Sequence, residues 1–140
     1  MQVIDRYSND LDFEKIFIVA LLHDTIEDTE VEEGYISDKF GSDVEKYVSG
    51  VTKKKIVLKE KPTQEMLYQM NKELLEKVEK SGRISIIVKL EDRLNNLNTI
   101  TPRPDKKEKY LRMIDETRNL YVPMATRNKL YLYKELFEEF

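Results

Sequence analysis

His23, the one histidine of the chain, stands in the run Ala20-Leu21-Leu22-His23-Asp24-Thr25-Ile26-Glu27-Asp28. On a helix, His23 and Glu27 are four residues apart, as are Asp24 and Asp28, and Asp24 and Glu27 are three apart. These four polar groups therefore crowd one end and one side of the helix. Three carboxylates packed that closely repel one another unless something positive lies among them. A divalent metal meets that need, whereas the ordinary use of such residues is a solvated, acidic helix end. The preceding residues, Ile16 to Leu22, are apolar all round. That is the pattern of a buried helix, one that would carry its charges to the rim of a core.

A second run, Val88-Lys89-Leu90-Glu91-Asp92-Arg93-Leu94-Asn95-Asn96, has the same character. Asp92 lies four residues after Val88, a core position, and four before Asn96, so it is expected to point inward, where an unpaired carboxylate is costly. A metal shared with His23 and Asp24 removes that cost; an internal salt bridge to Lys89 or Arg93 is the alternative. One imidazole and two carboxylates suit Mn, Fe, Co or Zn better than Ca. Such an ion lowers the pKa of bound water towards about 7 and neutralises a phosphoryl oxygen. The nearby carboxylates Glu27 and Asp28 would then orient or deprotonate the attacking water and handle the leaving group.

The elements that must position these groups are helical. Only four Gly and four Pro occur, and helix-forming Glu, Lys and Leu abound, so an all-α fold is expected. Asp12 can cap a helix from Phe13 to about Asp28. Ile36, Lys39 and Phe40 suggest a short helix stopped by Gly41, after which Ser42 caps another bearing Val44, Tyr47, Val48 and Val51. Residues 52–62 read as a basic loop. Thr63 starts the longest helix, with Met66, Leu67, Met70, Leu74, Leu75 and Val78 on one side, closed by Ser81-Gly82. Ile84 to about Asn98 could begin as a strand, but Ile84, Ile87, Val88, Leu94 and Leu97 keep a helical period over too great a length. After a loop at 101–104, a helix is expected from Lys106 to Tyr121, ending before Pro123. A last one runs from about Ala125 to Phe140, with a break near Asn128.

Composition narrows the class. The 140 residues, 40% hydrophobic and 36% charged, fit one globular domain spanning 1–140. A chain of that size buries about two-thirds of the surface its unfolded form exposes. A net charge of -3 gives no general attraction to nucleic acid. The one basic cluster, Lys53 to Lys55 with Lys59 and Lys61, reads as a solvated loop or as a patch for a small polyanion. With no cysteine there is no thiolate zinc site and no thiol nucleophile. The apolar run at 16–22 is too short to span a bilayer and the N-terminus is not a signal peptide, so no membrane partner and a cytoplasmic location are expected.

The two runs, together with Gly50-Val51-Thr52-Lys53, Glu116-Thr117 and Tyr121 to Arg127, resemble the HD-domain metal phosphohydrolases, specifically the hydrolase domain of the RelA/SpoT (Rel) proteins and the small alarmone hydrolases. The likeness covers roughly residues 12–139 with the motifs in order. It implies an all-helical HD-type bundle and Mn2+-dependent removal of the 3′-pyrophosphate of (p)ppGpp, giving GDP or GTP and pyrophosphate, within the stringent response. It implies His23, Asp24 and Asp92 as metal ligands, and Glu27 and Asp28 as the pair that activates water. Asn96 and Thr99 would approach a guanosine polyphosphate, and Arg93 would be structural. Two departures accompany the likeness. The family's second metal-binding His, on a helix before the His-Asp pair, has no counterpart here, nor have the basic residues of the guanine pocket in that region, as in a domain truncated at its N-terminus. Asn95 stands where the family usually has His. The departures leave open a non-catalytic HD domain that binds nucleotide or a protein partner, and an HD hydrolase of another nucleotide.

Overall fold

Ile16, Val19 and His23, spaced by three and four, form the buried stripe of the helix that carries the first motif. The computed structural model describes residues 2–28, 34–52, 60–101 and 103–140, and the side chains of 2–4 and 24–28 lie outside that description. The described residues form helices, turns and loops without a strand, as an all-α fold requires. They are α1 (Gln2–Tyr7), α2 (Phe13–Asp28), α3 (Tyr35–Phe40), α4 (Ser42–Val51), α5 (Gln64–Ser81), α6 (Arg83–Thr99), α7 (Lys107–Glu116), α8 (Val122–Arg127) and α9 (Leu132–Glu138). A 3-10 turn at Pro104–Lys106 precedes α7, and a π-turn at Thr117–Tyr121 joins α7 to α8.

The chain divides into two compact units. The first comprises residues 1–54 and 77–91, and within it α2 packs on α4 and α1, and α3 on α4. Its core is aliphatic, with Ile16, Val19, Val44, Val48, Val51, Val78, Ile84, Ile87 and Leu90 all buried. α2 is not enclosed all round, as its sequence suggests: Leu21 is 45% exposed, and only one face is fully covered. Asp12 precedes α2 as expected, but its carboxylate meets Arg83 Nη1 at 3.4 Å. Helix α4 begins at Ser42 itself, with Gly41 (φ +99°) as the residue before it.

A close approach fastens α4 to the turn between α5 and α6. Ser81 Oγ donates to Lys46 O at 3.1 Å and Ser85 Oγ to Tyr47 O at 2.9 Å. Gly50 makes this possible, because a Cβ there would collide with the Ser81 side chain. Gly82, at φ +117°, supplies the turn itself, a conformation L side chains rarely adopt. Lys53 to Lys55 and Lys59, the basic cluster of the sequence, lie outside the described residues.

The second unit comprises residues 55–76 and 92–140. Its interior holds Leu75, Leu94, Met113, Tyr121, Met124, Ala125, Tyr133 and Phe137. Thr63 caps α5 through its Oγ1, which accepts from Met66 N–H at 3.1 Å, although Met66 itself is 47% exposed. The helical path does not stop before Pro123 as expected. Proline has no N–H to give the carbonyl four residues back, and its ring crowds that carbonyl. The chain relieves both by widening one turn, so that Val122 N–H reaches Thr117 O, and Pro123 enters α8 in its first turn. The break near Asn128 is present. Lys129 takes a left-handed conformation at φ +61°, with Leu130 N–H bonded to Ala125 O and Lys129 N–H to Thr126 O, the paired bonds of a Schellman ending.

Candidate functional site

The terminal turns of α2 carry the first motif. His23 lies on the buried stripe and is 8% exposed. Its Nδ1 is 2.7 Å from Ala20 O. A carbonyl can only accept, so Nδ1 carries the hydrogen, and in the neutral form of the ring the lone pair is then on Nε2, which is also buried. A backbone carbonyl that fixes the tautomer in this way is the usual support for a histidine that binds metal through its other nitrogen. Asp24, Glu27 and Asp28 belong to the same helix by their backbone, which gives the three- and four-residue spacings the sequence implies. Their side chains lie outside the described residues. Among the described residues no group of three or more His, Asp or Glu side chains is arranged to hold a metal ion.

The second motif occupies α6, and the residues from Asp92 onward belong to the second unit. Asp92 is half-buried, while Asn95, Asn96 and Thr99 are exposed. Asp92, Asn96 and Thr99 follow at four and three residues, so the helix sets them on one side. Thr99 Oγ1 donates back to Asn95 O at 2.9 Å, which holds its side chain close to its own helix. Lys89, one turn earlier and in the first unit, is 6% exposed.

Arg93 turns away from that surface into the second unit. It is 8% exposed, and its Nη2 donates to Glu116 Oε1 at 3.2 Å and to Tyr121 Oη at 2.9 Å. The guanidinium also lies over the Tyr121 ring, 4.3 Å from its centroid. Asn71 Nδ2, from α5, donates to the same hydroxyl at 3.2 Å. Glu116 is 2% exposed and Tyr121 fully buried. The π-turn is what carries Tyr121 round to Arg93, and Thr117 Oγ1 ties its start to Met113 O at 2.7 Å. The expected structural role of Arg93 thus has named partners. Sequence reasoning gave Glu116 and Tyr121 no role, although a signal existed: Met113, Glu116 and Leu120 follow at three and four residues, which puts a glutamate on an apolar face.

Comparison with known proteins agrees with the motifs. The HD domain family model matches residues 7–130. Among curated proteins, the chain is 38% identical over 130 residues to a Brucella ovis protein named GTP pyrophosphokinase rsh, covering 90% of this chain and 16% of that one. It is 37% identical over 129 residues to the guanosine-3′,5′-bis(diphosphate) 3′-pyrophosphohydrolase of Aquifex aeolicus, covering 92% of this chain and 17% of that one. The Haemophilus influenzae protein of the same name is 36% identical over 118 residues, covering 84% and 16%. No solved structure matches. The chain belongs to the HD domain family. Within it, the similarity is to proteins with Rel/SpoT names, of which the chain spans about a sixth of the length. Among the described residues no helix is long and apolar enough to cross a membrane.

Proposed function

We propose that this HD domain hydrolyses the 3′-pyrophosphate of (p)ppGpp, releasing pyrophosphate and GDP or GTP, as part of the stringent response in the cytoplasm. The observation that carries this reading is the set of co-linear motifs in an HD domain whose relatives include proteins named 3′-pyrophosphohydrolases. His23, Asp24 and Asp92 are the proposed ligands of one divalent cation, with Mn2+ the ion of choice. The donor set fits: the tautomer of His23 directs a lone pair from Nε2, and two carboxylates add hard oxygen donors. When bound, the ion supplies an acidified water and a positive charge against the phosphoryl oxygens.

The remaining work falls to the chain's own groups. Glu27 and Asp28 take the proton of the attacking water, whose oxygen bonds to the phosphorus attached at the 3′ position. As that bond forms, the bond from phosphorus to the 3′ oxygen breaks, and the 3′ oxygen leaves with a proton. Asn96 and Thr99, exposed on α6, bind and orient the nucleotide. The whole 140-residue chain acts as one catalytic domain in this reading.

The test is direct. Incubated with Mn2+ and ppGpp, the chain releases pyrophosphate, and Asp24→Ala or Asp92→Ala abolishes the release; equal rates in the three proteins reject the proposal. Glu27→Gln and Asp28→Asn should lower turnover far more than metal affinity. A second reading is a domain that binds nucleotide or a partner without turnover. Calorimetry with Mn2+ and ppGpp separates the two, since binding without pyrophosphate release supports the second. A substrate panel separates both from an HD hydrolase of another nucleotide.

A further inference from the structure

The buried cluster around Arg93 is hard to justify as a source of stability. Burying a guanidinium and a carboxylate carries a desolvation cost for each ion, and the mutual attraction recovers that only when the remaining donors and acceptors are also satisfied. Here they are not. Among the described residues, Arg93 Nε and Nη1 and Glu116 Oε2 are buried without a hydrogen-bond partner. An apolar cluster of the same volume would stabilise the second unit at least as well. What an apolar cluster lacks is direction. The guanidinium is a planar fork that accepts partners only at fixed angles, and its partners here come from two separate places, Glu116 at the end of α7 and Tyr121 in the π-turn. Through the Tyr121 hydroxyl, Asn71 of α5 adds a third. All three bear on the one turn of α6 that also carries Asp92 and Asn96.

The geometry points to Arg93 and Glu116 as a positioning pair: clamped between α7 and the π-turn, Arg93 fixes the rotation of α6 about its own axis and so sets the direction in which Asp92 and Asn96 are presented. The inference rests on the hydrolase reading for what Asp92 and Asn96 do. Side-chain ends stand roughly 5–6 Å from the helix axis, so a rotation of about 10° already moves them by about 1 Å. A displacement of about 1 Å at a reacting centre costs as much as a hundredfold in rate. Neither Arg93 nor Glu116 touches the reacting atoms in this scheme; both act through α6.

Two variants of the full chain separate this role from plain structural support. Glu116→Gln keeps the shape of the pair and removes its charge. The double variant Arg93→Met with Glu116→Leu replaces the pair by apolar volume, and is expected to melt near the wild-type temperature. In both, we expect Mn2+ affinity, read by calorimetry on the metal-free protein, to weaken by about tenfold, and turnover of ppGpp to fall by about tenfold or more. A double variant that melts like the wild type and also keeps its Mn2+ affinity and turnover overturns the inference. Should the double variant fail to fold, Glu116→Gln decides by the same two measurements. The underlying reading fails separately: a wild-type chain that binds Mn2+ but leaves ppGpp intact removes the hydrolase, while the affinity arm still tests the clamp. A wild-type chain that binds no Mn2+ sinks both.

Discussion

Arg83 and Arg93 lie on the same helix, and each meets carboxylates, yet the two contacts are opposite in kind. Arg83 opens α6 in the first unit. Its side chain is 47% exposed, and its guanidinium holds Asp10 Oδ2 at 2.7 Å and Asp12 Oδ2 at 3.4 Å at the surface. Arg93, in the second unit, is 9% exposed by its side chain and holds a glutamate that is 2% exposed. The same chemical pair is a surface fastening in one place and an interior charge network in the other. The interiors differ in the same way. The first unit also buries a charged residue, Lys89 at 6% exposure, but its close approach of α4 to the α5–α6 turn rests on fit, through a glycine and two serines whose hydroxyls reach backbone carbonyls. The second is closed around charge. Removing one partner should therefore matter little at Arg83 and greatly at Arg93, and adding a methyl group should matter most at Gly50.

Glu116→Ala is expected to be the most damaging of these changes. It strands the Arg93 guanidinium in the interior, for a loss of about 3–5 kcal/mol measured by urea unfolding. A loss no larger than that of the surface pair would erase the contrast between the two arginines. Gly50→Ala comes next. The added methyl meets Ser81, forcing α4 away from the α5–α6 turn, at about 1–3 kcal/mol, with no dependence on salt or pH. A neutral outcome would show that the first unit is not closed by fit. Tyr121→Phe keeps the ring beneath Arg93 and removes one acceptor from the guanidinium, at about 1.5 kcal/mol by the same measurement.

How far the sequence foretold this arrangement depends on whether the determinant was local. The span of α6 follows from periodicity, that of α2 from Asp12 before it and the long apolar run, and the start of α5 follows from Thr63, whose hydroxyl caps the helix it precedes. Those signals are local, and local signals are legible. The path through Pro123 was not, because proline normally ends a helix, and only a neighbouring turn that can widen changes that outcome. The six-residue α1 had no periodicity to reveal it. At the candidate site, the helices bearing the motif residues were legible. The partners of Arg93 were not. They lie 23 and 28 residues away in sequence, and nothing in a one-dimensional pattern pairs a given arginine with a given glutamate.

The gentlest test concerns the surface pair. Arg83, bonded to Asp10, holds the Asp10 carboxyl below its usual range, helped by the Asp12 N–H that it accepts. A carboxyl whose pKa is lower in the folded chain than in the unfolded one favours folding when both are ionised. That contribution is complete above the ordinary aspartate value of about 4 and disappears as pH falls through the lowered value. The pair is well exposed, so screening limits it to less than about 1 kcal/mol, and less in high salt. Asp10→Asn should therefore cost a few tenths of a kcal/mol at neutral pH and nothing at strongly acid pH, where the wild-type carboxyl is itself protonated. Urea unfolding of both proteins across that range checks this. A difference that persists at acid pH would mean that Asp10 contributes by something other than its charge, because an Asn amide oxygen accepts the Asp12 N–H as the carboxylate does.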